Sequence, residues 1–361
     1  MILTDEMLAA AFRYRNSKLW FCLDDSNIFA FRLSDGEIGY CCVMGHAGEH
    51  LSLGFYRGAH QFNTYLKTIK MGDMSGAEAL ELSLTFDCIH CDFMSAAKTQ
   101  GLDKAAKEQI RKFAKDNGFQ MRRPNAWPDF LRYAPYRMPS AITDERDAKD
   151  ITEALNAAVV VADRLEAWTD DIIFNDELYG ACGFDLKYRY PTQSGGKAVP
   201  FLIPQGDGTY EWSMTKLPGT AKDVFPETEY DNMIVAARLR SMTHRGILQC
   251  KVIHLPIPTA PEKEPHNEYF PSVLLCVQED SQRAIPVMPT VPMEEDPLQT
   301  LNSFAATLLD MKGRPSTISV SDAKTKALLA DFCKKTGIRL QTVRRMSELE
   351  SAWSYMAMCK F

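Results

Sequence analysis

Nowhere do these 361 residues contain an apolar run long enough to span a bilayer. The first residues, Met1-Ile-Leu-Thr-Asp-Glu-Met7, are acidic and lack the basic-then-apolar layout of a secretory leader. A cytoplasmic location without a membrane partner is therefore expected. An excess of charge of one sign is also missing: 41 Lys and Arg stand against 47 Asp and Glu, for a net charge of −6. That balance excludes a general polyanion binder but leaves room for a local basic patch. The ten cysteines show no regular spacing, and Cys22, Cys250, Cys276 and Cys333 sit inside apolar runs. They read as buried thiols in a reducing compartment, not as a disulfide framework. No solenoid-like periodicity is present.

What is there is ordinary globular material, 45% hydrophobic and 24% charged, long enough for two or three domains. An amphipathic helix is expected up to about Lys18, then a strand, turn and strand over Trp20–Leu33. Further strands are expected over Ile38–Met44 and Leu51–Tyr56, and a helix over Ala59–Ile69 with Phe62, Tyr65 and Leu66 on one face. Leu80–Phe93 reads as a strand region. Lys104–Asn117 reads as a helix closed by Gly118, with a last strand starting at Phe119. Thr143 is a good N-cap for a long helix carrying Ile151, Leu155, Ala158, Ala162 and Leu165. Residues 171–225 alternate aromatic and polar residues around glycine pairs, the pattern of β-hairpins. Strands then follow at Leu248–Ile257, Ser272–Gln278 and Ala284–Val291. A helix at Pro297–Met311, a strand at Thr317–Val320, a helix at Ala323–Lys335, a strand at Ile338–Val343 and a final helix at Ser347–Met358 complete the chain. The expected division is 1–168, a β-rich insertion over 169–240, and 241–361.

Two distant stretches spell nearly the same thing. Ser95-Ala-Ala-Lys-Thr99 leads through a helix to Asn117-Gly-Phe-Gln-Met-Arg-Arg123, and Ser321-Asp-Ala-Lys-Thr325 leads through a helix to Thr336-Gly-Ile338 and on to Arg344-Arg345. The expectation is an internal duplication: an α+β protein of two related mixed-sheet domains, each running strands, helix, strand, helix, strand. Helix-linked strands are expected to be parallel neighbours.

Val273-Leu-Leu-Cys-Val-Gln-Glu-Asp-Ser-Gln-Arg-Ala-Ile285 resembles the first hairpin of an integrase or ribonuclease H-like core. Gly313–Asp322 resembles that family's fourth strand, which ends in an aspartate. The resemblance implies a two-metal nuclease frame held by several carboxylates. Asp322 falls on one acidic position, but Gln278 stands at the other and Ala96 occupies Asp322's place in the first copy, so a degenerate frame is implied. A second resemblance rests on Gly45-His-Ala-Gly-Glu-His50, Gly54-Phe-Tyr-Arg-Gly58, Asp87–Phe93, Asn125–Phe130 and the block from Tyr269 to Gly337. These look like an uncharacterised bacterial family, similar to plasmid ORF-3-like proteins whose members often carry a separate zinc-binding SEC-C tail. That resemblance implies no activity.

Candidate site residues follow from chemistry. Cys88-Ile-His90-Cys91 supplies at most three metal ligands, and residues three apart on a strand point to opposite faces, so no metal or cofactor is expected. Glu49 beside His50 offers a carboxylate–imidazole pair among glycines, with no nucleophile in view. Arg122, Arg123, Arg344 and Arg345 are candidates for phosphate contact, and Trp127 for stacking. The expected function is a non-catalytic binding or scaffold module with a protein or nucleic-acid partner, homo-oligomerisation being allowed. The competing expectation is a metal-dependent hydrolase or nuclease using Asp322 and neighbouring carboxylates. The two differ in one geometric respect. A nuclease must hold Asp322 near a second carboxylate, whereas Asp322 capping the helix from Ala323 counts against it.

Overall fold

The computed structural model describes residues 1–166, 198–260 and 268–358, apart from positions 49, 70, 72, 73, 75, 123, 282, 289–292 and 312. The chain divides into two compact units. The first comprises Met1–Gly72, Thr85–Pro135 and Pro139–Ala221; the second comprises Asp73–Leu84, Tyr136–Met138 and Lys222–Phe361.

In the first unit, α1 (Asp5–Ser17) starts at Thr4, whose hydroxyl accepts the Met7 N–H, and ends at Lys18 in the left-handed region. A 3-10 turn (Leu19–Phe21) leads to β1 (Phe29–Arg32), β2 (Ile38–Met44), β3 (Leu51–Arg57) and α2 (Gly58–Thr68). In the second unit lies α3 (Gly76–Ser83). The first unit resumes with β4 (Cys88–Met94), α4 (Lys104–Asp116), β5 (Trp127–Tyr133), β6 (Ser140–Ala141), α5 (Glu145–Glu166), β7 (Ala198–Pro204) and β8 (Tyr210–Lys216). Its sheet runs β6-β5-β4-β3-β2-β1-β7-β8, antiparallel except for β1 against β7. Helices α1 and α5 cover one face through residues such as Phe12, Ile151 and Leu155 against Phe29, Phe31 and Val43. Helix α2 covers part of the other, with Phe62, Tyr65 and Leu66 against Tyr40, Cys42 and Tyr56. Burial on both faces explains why β2 reads as an apolar run without alternation.

The second unit continues with α6 (Met233–Arg240), β9 (Ile247–His254), β10 (Ser272–Gln278), β11 (Arg283–Val287), α7 (Pro297–Asp310), β12 (Thr317–Val320), α8 (Ala323–Thr336), β13 (Arg339–Thr342) and α9 (Ser347–Met358). Its sheet runs β11-β10-β9-β12-β13. The first three strands form an antiparallel meander, β12 lies parallel to β9, and β13 lies parallel to β12. Leu301, Phe304, Leu308, Leu329 and Phe332 pack helices on one face, while Met346, Leu349 and Trp353 bring α9 to the other. Gly337 closes α8 at φ 68°, a left-handed position that glycine takes without strain.

The α+β class with two mixed sheets is thus present, but several local expectations change. Strands β4 and β5 flank α4 yet pair antiparallel, whereas β12 and β13 flank α8 and pair parallel. The repeated motif also folds differently in its two copies. Ser95–Thr99 makes a turn, and α4 is capped by Asp103, through which Ala106 N–H is held at 2.8 Å. Residues 80–83, expected to begin a strand, lie in the helix Gly76–Ser83, and no strand starts at Phe119. The hairpin β7–β8 extends the first sheet; residues 169–197 of the expected insertion lie outside the described residues.

Candidate functional site

Because β9, β12 and β13 are parallel, their carboxyl ends open on one edge of the second sheet. Strand order reverses between β9 and β12, and the chain leaves the two strands in opposite directions, which opens a crevice outside their ends. A crevice of about 830 Å³ lies there, lined by Lys251, Ser321, Asp322, Arg344, Arg345 and Trp353, with Glu78, Glu350 and Ser354. Trp353 is buried, and the Lys251 ammonium sits 4.2 Å from its ring centroid, a cation–π contact that fixes the lysine. Arg344 and Arg345 are exposed, and no ion pair engages either among the described residues. The acids nearest in sequence are otherwise occupied. Glu348 accepts from Gln249 Nε2 at 2.7 Å and Ser347 Oγ at 2.9 Å, and Glu350 accepts from Met346 N–H at 3.3 Å.

Asp322 is the N-cap of α8. Its Oδ1 accepts the Thr325 N–H at 2.7 Å and its Oδ2 accepts the Thr325 hydroxyl at 2.8 Å. That hydroxyl in turn accepts Val252 N–H at 2.9 Å, tying β9 to the start of α8. The expected partner position needs correcting. Parallel register places Ser319 level with Gln249, so two residues on, Ser321 is level with Lys251. Gln278 pairs with Leu248 near the amino end of β9, at the other edge of the sheet. Asp322 itself is then level with Val252, while Lys251 lines the same crevice as Asp322. A lone lysine in the apolar run Ile247–His254 was the signal for it.

In the first unit, sequence neighbours give way to sheet neighbours. Glu49 lies outside the described residues. His50 Nε2 lies 3.3 Å from Asp92 Oδ1, and Ser52 Oγ donates to the same oxygen. The hydrogen bond from Asp92 raises the His50 pKa. Burial alone would raise Asp92, but its bond to His50, the nearby His90 and its bond to Ser52 outweigh burial and lower it. Asp92 faces Asp129 across β4 and β5; burial raises Asp129, which accepts Gln100 N–H at 2.6 Å and Gly101 N–H at 3.1 Å. Serine and histidine both point at aspartate, so no base faces a nucleophile, and the network ties strands together. Asp92 was visible in the run Asp87–Phe93, but only strand pairing brings it to His50.

The Cys88-Ile-His90-Cys91 residues diverge. Cys88 packs among the residues under α2, Cys91 among those under α1 and α5, and burial raises both thiols. His90 lies tilted against Tyr133, at 4.7 Å between centroids, and burial lowers its pKa. Among the described residues, no group of three or more His, Cys, Asp and Glu is arranged to hold a metal ion. Trp127 is buried beneath Arg111, which stacks 5.0 Å from its ring centroid. Arg122 is exposed but precedes β5 instead of following a last strand, and Arg123 lies outside the described residues. Among the described residues, no helix is long and apolar enough to cross a membrane.

A cluster without a sequence signature lies at the end of β9. His254 is buried, its Nδ1 2.9 Å from Glu81 Oε2 of α3 and its Nε2 3.2 Å from Glu294 Oε1. Lys324 of α8 donates to Glu294 Oε1 at 2.6 Å and lies 4.4 Å from the Tyr136 ring centroid. The Tyr136 ring stacks on His254 at 4.1 Å. Burial works against both charges. It would lower His254, but bonds to Glu294 and Glu81 raise it. It would raise Glu294, but His254 and Lys324 hold it down at about 2. Both ring nitrogens face carboxylate oxygens, which only accept, so the geometry calls for the imidazolium.

Two family models match the chain, each a domain of unknown function: DUF7309 over residues 5–179 and DUF6930 over residues 236–357. Neither bears the plasmid ORF-3 or SEC-C name. No curated protein matches in sequence. Among solved structures, the chain is similar to the HTLV-2 integrase catalytic core domain in complex with magnesium (trimeric form), at 17% identity and a TM-score of 0.23. That match covers 30% of this chain and 65% of the integrase chain, under two thirds of its length.

Proposed function

We propose that the protein is a non-catalytic binding module. In this reading its second unit is a degenerate ribonuclease H-like frame that holds a polyanion, single-stranded nucleic acid before others, in the crevice beside β12 and β13. The observation that carries it is the pair Arg344–Arg345, exposed and outside any ion pair among the described residues, beside Lys251. Guanidinium groups suit phosphate oxygens through paired N–H donors, and Ser321 and Ser354 add hydroxyls to the same crevice. A buried tryptophan under Lys251 gives the cation a fixed place, which lowers the ordering needed on binding.

A metal-dependent nuclease is the competing reading. Asp322 uses both oxygens to cap α8, and Lys251 lines the same crevice. An ammonium there repels the divalent ions that such chemistry requires. The test is fluorescence anisotropy with a labelled oligothymidylate at two salt concentrations, together with a cleavage assay in magnesium and manganese. Salt-sensitive binding without cleavage is expected. Cleavage abolished by Asp322→Asn would overturn the reading in favour of the nuclease. Salt-insensitive binding, or none, would point to a protein partner.

A further inference from the structure

Helix α3 belongs to the second unit, although the chain before and after it belongs to the first. Ala77 alone among its eight residues is fully buried, entering the cluster of Ile253, Leu349 and Trp353. One further attachment is ionic: Glu81 accepts the backbone N–H of His254 through Oε1 and faces its ring Nδ1 through Oε2. Just beyond, Leu84 C=O accepts the Tyr136 N–H at 2.6 Å, and Tyr136 lies at φ 60°, a conformation uncommon for a tyrosine. From this helix Glu78 reaches the rim of the crevice that holds Lys251, Arg344 and Arg345.

We propose that α3 is an acidic strap over that crevice, latched by the Glu81–His254 pair, so that the protein's own Glu78 competes with an incoming polyanion. This rests on the binding reading above. The physical logic is local. With one residue fully buried and residues 79–83 half-buried, the helix is held only in part by apolar contact, and its charged latch adds to its docking. The neutral Nδ1–H tautomer still donates to Glu81, but the second proton makes that latch charge-assisted and keeps the contact with Glu294. The groups facing it are Glu81 of α3, Glu294 before α7, Lys324 of α8 and Tyr136. The two carboxylates hold the proton on, while Lys324, through its bond to Glu294, opposes them. The His254 pKa is raised, so the charge-assisted part of the latch is fully present below the ordinary imidazole range. That part is lost as pH rises through the raised value.

Hydrogen exchange and oligonucleotide binding test the two parts separately. Glu81→Gln keeps an acceptor for the His254 backbone but removes the charge, so the fold is expected to survive it. The protection factor over Gly76–Leu84, corrected for base-catalysed intrinsic exchange at each pH, should fall about tenfold in that variant, and in the wild type between pH 6 and 9, with that of α8 unchanged. Glu81→Gln and Glu78→Gln should both tighten binding of a labelled oligothymidylate, the latter without altering exchange. If the protection factor over α3 ignores both the substitution and pH, the strap is overturned, whatever the oligonucleotide does. If exchange responds but Glu78→Gln leaves a measurable affinity unchanged, the competition is overturned. If no variant binds while exchange responds, the binding reading has failed and takes the gate with it, leaving α3 a clamp alone.

Discussion

The Asp322 carboxylate grips Thr325 twice, by its N–H at 2.7 Å and by its hydroxyl at 2.8 Å. An acid that resembles a nuclease ligand in sequence is, in the fold, the first stitch of a helix. Its removal should therefore read as a loss of stability. Asp322→Ala should cost about 1 kcal/mol, and Asp322→Ser much less, since serine also caps. Urea denaturation of the three proteins gives the answer; equal losses for Ala and Ser would contradict the cap.

Thr325 carries the next stitch. It is buried, and its hydroxyl accepts Val252 N–H at 2.9 Å while donating to Asp322. Thr325→Val keeps the shape but strands a buried strand N–H, with an expected loss of about 1–3 kcal/mol. Thr325→Ser, which keeps the hydroxyl, should recover most of it. The comparison of their denaturation midpoints separates lost bonding from lost volume.

For the crevice, Arg344→Ala and Arg345→Ala should each weaken oligothymidylate binding and reduce the slope of log affinity against log salt by up to about one unit. Arg122→Ala is the control, because Arg122 lies outside the crevice. An unchanged slope in both crevice variants would remove the arginines from the interface.

In the first unit, the pair His50–Asp92 predicts a pH dependence. Its hydrogen bond to Asp92 raises His50, so its contribution is fully present below the ordinary imidazole range and fades as pH rises through the raised value. The lowered Asp92 contributes above the ordinary carboxylate range and fades as pH falls. Thermal unfolding from pH 5 to 9 should show the alkaline loss in the wild type and a flatter profile in His50→Ala.

Accessibility of thiols separates the core from the surface. Cys41, Cys42, Cys88, Cys91, Cys250, Cys276 and Cys333 are buried, and burial pushes Cys42 and Cys333 up to about 12. Only the thiolate reacts, so alkylation mapped by mass spectrometry should reach half-buried Cys22 well before any of these. Rapid labelling of Cys91 in native protein would contradict the packing of β4.

Much of the second unit was legible. The strand Thr317–Val320 and the helix Ala323–Thr336 closed by Gly337 fall where periodicity and capping residues placed them. Asp322 was recognisable as a helix start by its place before Ala323. Residues 76–83 were less legible, because Leu80 and Leu82 alternate with acids and imitate a strand; docking of Ala77 against Trp353 settles them as helix. Strand direction was the other limit. Ser-x-Ala-Lys-Thr occurs twice, yet β4 meets β5 antiparallel and β12 meets β13 parallel, and nothing in five residues encodes that choice.

The sequence by itself determined the local elements, the apolar faces and the scarcity of metal-ligand spacing, since these depend on neighbours a few residues away. Only the tertiary structure decided that Lys251 stands level with Ser321, that His50 finds Asp92, and that His254 is held between Glu81 and Glu294. Each of those pairs is set by strand register or by packing across long stretches of chain. Charge at such a place acquires its meaning from the partner the fold supplies, and that partner is invisible in the residues on either side.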